Sequence, residues 1–199
     1  RRILHSLLGW REFDGKLQAG GWAAQEPGHT WTGGTTLLLD NPTLDIPRNQ
    51  FRTERVSLGA ARLDLFAEPD AIRATLEASV AENSRLTGEI TARREPGLGI
   101  VELPLSGVLR AESSHLTGMP ILVPEIDRSG GQFEGLVSVS GLLGAPRFDG
   151  EFHLRDGLLH LYRTNLQLTG LTLDGRFKGD ELVFEGSGSA ARGTLSLDG

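Results

Sequence analysis

The chain has 199 residues, 27 of them glycine, no cysteine and a formal net charge of −6. The missing cysteines exclude disulfides, thiolate metal sites and a cysteine nucleophile, and basic residues scattered under a net negative charge speak against nucleic acid. Aromatics at 6 % and hydrophobics at 38 % leave too little apolar mass for a sheet packed on both faces, and glycine at about twice its average share predicts short strands punctuated by turns and bulges.

The chain opens RRILHSLLGW without an initiator Met, and its apolar run Ile3 to Leu8 is too short for a membrane span or a signal peptide. It is expected to be a piece of a longer protein, forming a single β domain over 1–199, with 1–55 the least legible part. Apolar pieces at Leu7 to Phe13, Leu17 to Trp22 and Thr35 to Leu39 are broken by Gly20-Gly21, Pro27-Gly28 and Gly33-Gly34, which predicts strands with long turns. Trp10, Trp22 and Trp31 raise a sugar-stacking or aromatic-cage function against the plainer one of edge and core packing.

From Val56 the pattern sharpens. Leu63 and Leu65 alternate with charges, and Pro69-Asp70 marks a turn. Ile72, Ala74, Leu76, Ala78 and Val80 then occupy consecutive even positions with Arg73, Thr75, Glu77 and Ser79 between them. The same residues fit an amphipathic helix, but unbroken alternation among strand-like neighbours favours a strand. Leu86 to Thr91 and Ile100 to Leu109 continue as strands around a turn at Pro96-Gly97 and Gly99. The segment 111–128 breaks the rhythm: Pro120 and Pro124 flank Ile121, Leu122 and Val123, and Ser113 or Ser114 could cap a helical turn. At most one short helix is expected there, packed over the end of the apolar face.

The most regular stretch runs from Gly131 to Gly157. Val137 and Val139 alternate in one strand, Phe148, Phe152 and Leu154 in the next, and Gly141, Gly144 and Pro146 between them predict a hairpin with a loop of several residues. Beyond it Leu159 and Leu161, Leu166 and Leu168, Leu171, Leu173 and Phe177, Leu182 and Phe184, and Leu195 and Leu197 alternate in turn. Parity slips at Thr169-Gly170, which a bulge would absorb. Asp156-Gly157 and Asp174-Gly175 are typical turn dipeptides, though only Gly157 clearly lies between two strand runs. About a dozen strands without intervening helices give an antiparallel meander on the order of 60 Å long, which must curve or pair to hide its apolar face.

No catalytic constellation stands out. Gly186, Gly188 and Ala191 match a dinucleotide-binding spacing but lead into another strand instead of a helix. His5, His29, His115, His153 and His160 show no metal-ligand spacing. Asp149 and Glu151 share a strand face as a glycosidase pair would, yet beside Arg147 and Arg155 a solvated charge pattern is the plainer explanation. The chain is read as a non-enzyme with no cofactor and no metal.

The run Gly131-x-Phe-x-Gly135-x-Val137-x-Val139-Ser-Gly141, followed by Ala145-Pro146-Arg147-Phe148-x-Gly150-x-Phe152-x-Leu154-x-Asp156-Gly157, resembles the C-terminal domain family of TamB, the translocation and assembly module subunit of the AsmA-like group. Leu103 to Gly107 and the Leu/Gly pattern to Gly199 are similar to that family too. The resemblance implies a β-taco, an elongated incurved sheet with an apolar interior groove, within a periplasmic protein anchored in the inner membrane of a didermic bacterium. It implies phospholipid acyl chains as cargo moving between the membranes, and an outer-membrane barrel of the Omp85 type (TamA-like) as partner through regions outside this segment. An older family function is assembly of outer-membrane proteins and autotransporters, with nascent outer-membrane proteins as clients.

The residues expected to line the groove are Ile72, Leu76, Val80, Val137, Val139, Phe148, Phe152, Leu154, Leu166, Leu168, Leu171, Leu173 and Phe177. Three alternatives stand beside a lipid groove: the same residues meeting in a dry closed core, a sheet edge that pairs with client strands, and a carbohydrate-active enzyme using Asp149 or Glu151.

Overall fold

Alternation at period 2 yields twelve strands among the described residues: β1 (Glu12–Ala24), β2 (Thr32–Asn49), β3 (Arg52–Ser57), β4 (Ala61–Ala67), β5 (Ala71–Ser79), β6 (Ser84–Arg93), β7 (Leu105–Ser113), β8 (Ile126–Leu142), β9 (Ala145–Leu161), β10 (Leu166–Lys178), β11 (Glu181–Ala190) and β12 (Gly193–Asp198). The computed structural model describes residues 12–25, 30–49, 52–57, 59–79, 83–116, 126–161, 163–178, 181–190 and 193–199. The strands form one open antiparallel sheet in the order β1-β2-β4-β5-β6-β7-β8-β9-β10-β11-β12, with β3 paired to the far half of β2. The architecture is all-β, an elongated incurved sheet. Each strand neighbours the next in sequence almost throughout, so tight turns suffice and no crossover is needed.

The rival helix over 72–80 does not form. β5 is a strand in which every even position from Ile72 to Ala78 is half-buried and every odd one exposed. The parity slip at Thr169-Gly170 is a bulge: paired positions jump from Leu168↔Leu159 to Leu171↔Gly157, with Gly170 at φ +57°. A positive φ of that kind is open to glycine at little cost, and it keeps Leu168 and Leu171 on one face.

Several boundaries differ from the sequence expectation. The hairpin of β8 and β9 turns on two residues, Leu143-Gly144, because Gly141 at φ +90° tightens the approach and Pro146 is already paired with it. Gly20-Gly21 and Gly33-Gly34 lie inside β1 and β2 and do not break them. There the backbones pass closely: a Cβ on Gly21 would come 2.7 Å from the Gly34 carbonyl oxygen, and one on Gly34 3.0 Å from the Phe66 ring. Asp156-Gly157 and Asp174-Gly175 also lie within strands, the first at a bulge with Asp156 at φ +50°, the second beneath the Phe152 ring.

The strand expected over Ile100 to Leu109 starts only at Leu105. Ile100–Glu102 forms one 3-10 turn, in which the Glu102 carboxylate accepts from the Gly99 N–H at 2.8 Å. Within 111–128 the described residues finish β7 and begin β8, and the only helical turn among the described residues is the one at Ile100–Glu102. Ile121 to Val123 lie outside the described residues, as do Trp10, His5 and His29.

Buried apolar residues are few; Ile126, Leu154 and Leu171 lie along β8 to β10, and one cluster sits at a rim. Leu103, on the loop before β7, packs with Ala92, Leu105 and Val139, and Ile72, Ile90 and Leu109 lean on them. Leu143 and Gly144 donate their N–H groups to the Leu103 and Val101 carbonyls at 2.9 and 2.7 Å, tying the hairpin tip to that loop.

Candidate functional site

Because paired residues of an antiparallel ladder share a face, the registers trace the apolar face strand by strand. One row runs Ala19, Leu37, Leu63, Leu76, Gly88, Leu109, Val137, Gly150, Phe177, Leu182, from β1 to β11. The next runs Leu39, Ala61, Ala78, Leu86, Ala111, Gly135, Phe152, Gly175, Phe184. All the expected groove residues except Val80 project from this one face, and Val80 lies outside the described residues.

Large side chains lie over glycines on neighbouring strands. Phe152 covers Gly175 and abuts Gly135, Leu109 covers Gly88, Leu173 covers Gly186 and Leu171 covers Gly188. The glycines act as recesses, so large residues lie down along the sheet and the face stays low. Phe133, Phe152 and Phe177 continue across three strands with ring centroids 6.1 and 5.8 Å apart, a spacing at which tilted rings attract.

From β4 to β12 no charged residue stands on this face among the described residues; its polar members include Ser84, Ser113 and Ser129. Ser84 and Ser113 satisfy each other at 2.7 Å. Val139, Leu154 and Leu171 are buried, but most of the face is only half-buried, and Phe148 and Leu182 remain 40 % and 45 % exposed. Close backbone contacts between strands run chiefly between hydrogen-bonded neighbours among the described residues. The apolar face thus forms a long trough that stays in contact with solvent along much of its length.

The opposite face is polar and organised by cross-strand charge. Asp149 stands between Ser138 and Lys178, Glu151 between Leu136 and Arg176. Both carboxylates thus belong to a solvated ladder with their cationic neighbours. Arg62 holds Asp64 at 2.6 Å while the Thr36 hydroxyl donates to it, and these bonds pull the Asp64 carboxyl down. His160 bonds Asp127 at 2.5 Å; desolvation pushes Asp127 up, but the bond and charge of His160, a backbone N–H and the Arg128 charge together bring the net direction down.

The densest cluster joins β9 to β10. The Arg155 guanidinium donates to both oxygens of Asp174, at 2.7 and 3.1 Å, and His153 Nδ1 meets the same carboxylate at 2.5 Å. It resembles the base half of a hydrolase triad, yet it sits exposed on the polar sheet face, and among its hydrogen bonds none goes to a serine or threonine hydroxyl. The Arg155 bond, then the His153 bond, lower the Asp174 carboxyl to about 2. An unperturbed aspartate titrates near 3.8, so the folded state binds this proton less readily than the unfolded state. The resulting stabilisation is full above about pH 4 and is lost as pH falls toward about 2. Asp174→Asn is therefore expected to flatten the acid limb of a melting-temperature profile across that window. A limb as steep as the parent's would show that the carboxylate contributes nothing.

Trp22 and Trp31, the two described tryptophans, do not share a cage. Trp22 lies on the polar face over Gly34 beside Phe66, whereas Trp31 lies at the Leu103 rim. No cluster of three metal-ligating side chains occurs among the described residues. The dinucleotide-like glycines Gly186 and Gly188 lie within β11 under Leu173 and Leu171, where packing accounts for them.

Sequence reasoning missed part of the trough. Leu37, Leu63, Leu109 and Phe133 belong to it, and their signal was present as alternation that had not been carried from strand to strand. Leu103 and Arg94 carried no periodic signal, because they sit on a loop. Comparison with family models, with characterised proteins and with solved structures finds no match to this chain.

Proposed function

We propose that the chain is a groove segment of a protein bridge that carries lipid across an aqueous space, binding acyl chains along its apolar face and catalysing no reaction. More particularly, it is a TamB-type segment in the periplasm of a didermic bacterium. Its parent is anchored in the inner membrane and meets an outer-membrane barrel through regions beyond this segment.

The observation that carries the proposal is the uncharged trough crossing the sheet, most of whose side chains, apart from the buried Val139, Leu154 and Leu171, stay partly exposed. Each acyl CH2 taken from water gains about 0.8 kcal/mol, so a continuous trough lowers the barrier to transit. A floor levelled by glycine recesses provides no deep stopping point along the way. A dry sandwich core would instead place a second layer about 10 Å from the first and exclude water from these side chains.

Photo-crosslinking tests this. With a photoreactive residue at Phe152 on the trough, and separately at His153 on the polar face, phospholipid adducts are expected at 152 and not at 153 when the parent protein is labelled in cells. Adducts to unfolded outer-membrane proteins would replace this function with client assembly, and intramolecular adducts alone at 152 would indicate a dry core.

A further inference from the structure

At the Leu103 rim the trough ends in a cavity of about 440 Å³, lined among others by Trp31, Pro69, Ile72, Arg94, Leu98 and Leu103. Ile72 projects from the apolar face and packs against the cluster that holds Leu103, so the cavity adjoins the trough. Its wall carries a cation. Arg94 follows Ala92 by two residues just past the end of β6, and its guanidinium stacks on Trp31 at 5.0 Å from the ring centroid.

Arg94 is set apart by its place on the Trp31 ring and by a buried Nε. Arg62, Arg73, Arg110 and Arg155 each hold a carboxylate. Arg94 has no ion pair among the described residues; its one side-chain hydrogen bond runs to the Trp31 carbonyl at a long 3.4 Å. Its Nε is buried with no acceptor at all. Glu95 lines the same cavity but is exposed and does not bond Arg94. A buried donor without a partner is costly, and a guanidinium presents parallel donors that match two oxygens of one phosphate. Tryptophan, apolar with one polar edge, suits a boundary between wet and apolar surroundings.

We propose that this cavity seats the phosphate of a phospholipid on Arg94, with Trp31 at the boundary between headgroup and chains and an acyl chain laid over Ile72 and Leu103 into the trough. The proposal rests on the groove function above and adds to it a fixed headgroup station at one rim. The same guanidinium could take free phosphate, so the test separates the two sources.

Trp31 fluorescence is read in the whole chain carrying Trp10→Phe and Trp22→Phe, titrated with monomeric dihexanoylphosphatidylglycerol, with inorganic phosphate and with uncharged octyl glucoside. The phospholipid is expected to shift the Trp31 emission. Arg94→Gln should weaken it by about tenfold or more, Arg94→Lys should fall between the two, and octyl glucoside binding should be unchanged. Undiminished phospholipid binding in Arg94→Gln overturns the headgroup station while leaving the groove standing. Arg94-dependent binding of inorganic phosphate as tight as that of the phospholipid makes this a free-anion site and overturns the lipid assignment. Failure of both amphiphiles to bind the parent overturns the groove itself.

Discussion

Gly175→Val is expected to destabilise the sheet by about 2 kcal/mol, a net figure after the small gain from a β-branched residue in a strand. Gly175 is buried directly beneath the Phe152 ring, and a Cβ there would occupy the space the ring now fills. The ring has little freedom to swing away, with Phe133 and Phe177 on either side at 6.1 and 5.8 Å. Phe152→Ala alone should cost about 2 kcal/mol, less than a fully buried phenylalanine, because the ring is only half-buried. The double variant should be no less stable than Phe152→Ala by itself, since the valine then fills the room the ring vacated. Urea denaturation of the four proteins measures this. Additive losses would show that the ring and the glycine do not share a site.

The second large effect separates an open trough from a closed core. Val137 lies mid-row between Leu109 and Gly150 and is half-buried. Val137→Asp should cost only about 1 kcal/mol of stability, because a carboxylate on a wetted face keeps much of its hydration. In a dry core the same change would cost about 3–5 kcal/mol. Function should respond the other way. An acyl chain passing over that carboxylate must strip its water, so phospholipid adducts at Phe152 are expected to fall by about tenfold. A large stability loss, or lipid adducts undiminished in a folded variant, would each remove the trough as the route.

Much of the architecture was legible because a strand writes its face into every second residue. The even positions Ile72 to Ala78 and the odd positions Val137 and Val139 identify strands without reference to anything distant. The bulge at Thr169-Gly170 was also readable, since a one-residue slip must be absorbed if both leucine sets are to stay on one face. Glycine was the residue read least well. Gly33-Gly34 and Asp174-Gly175 carry turn signals, and both lie inside strands. A local signal cannot tell a glycine that bends the chain from one that makes room for a neighbour's ring.

By itself the sequence determined the strand class, the single apolar face and the polarity of the other, because these follow from period-2 patterning along each strand and from a scarcity of apolar mass. Tertiary structure alone decided which glycine receives which side chain, where the small packed core lies, and that an arginine beside Trp31 stands at the end of the trough without a carboxylate partner. Those features depend on register between strands and on a loop folded over one rim. Both are contacts between residues far apart in the chain, and no local pattern encodes them.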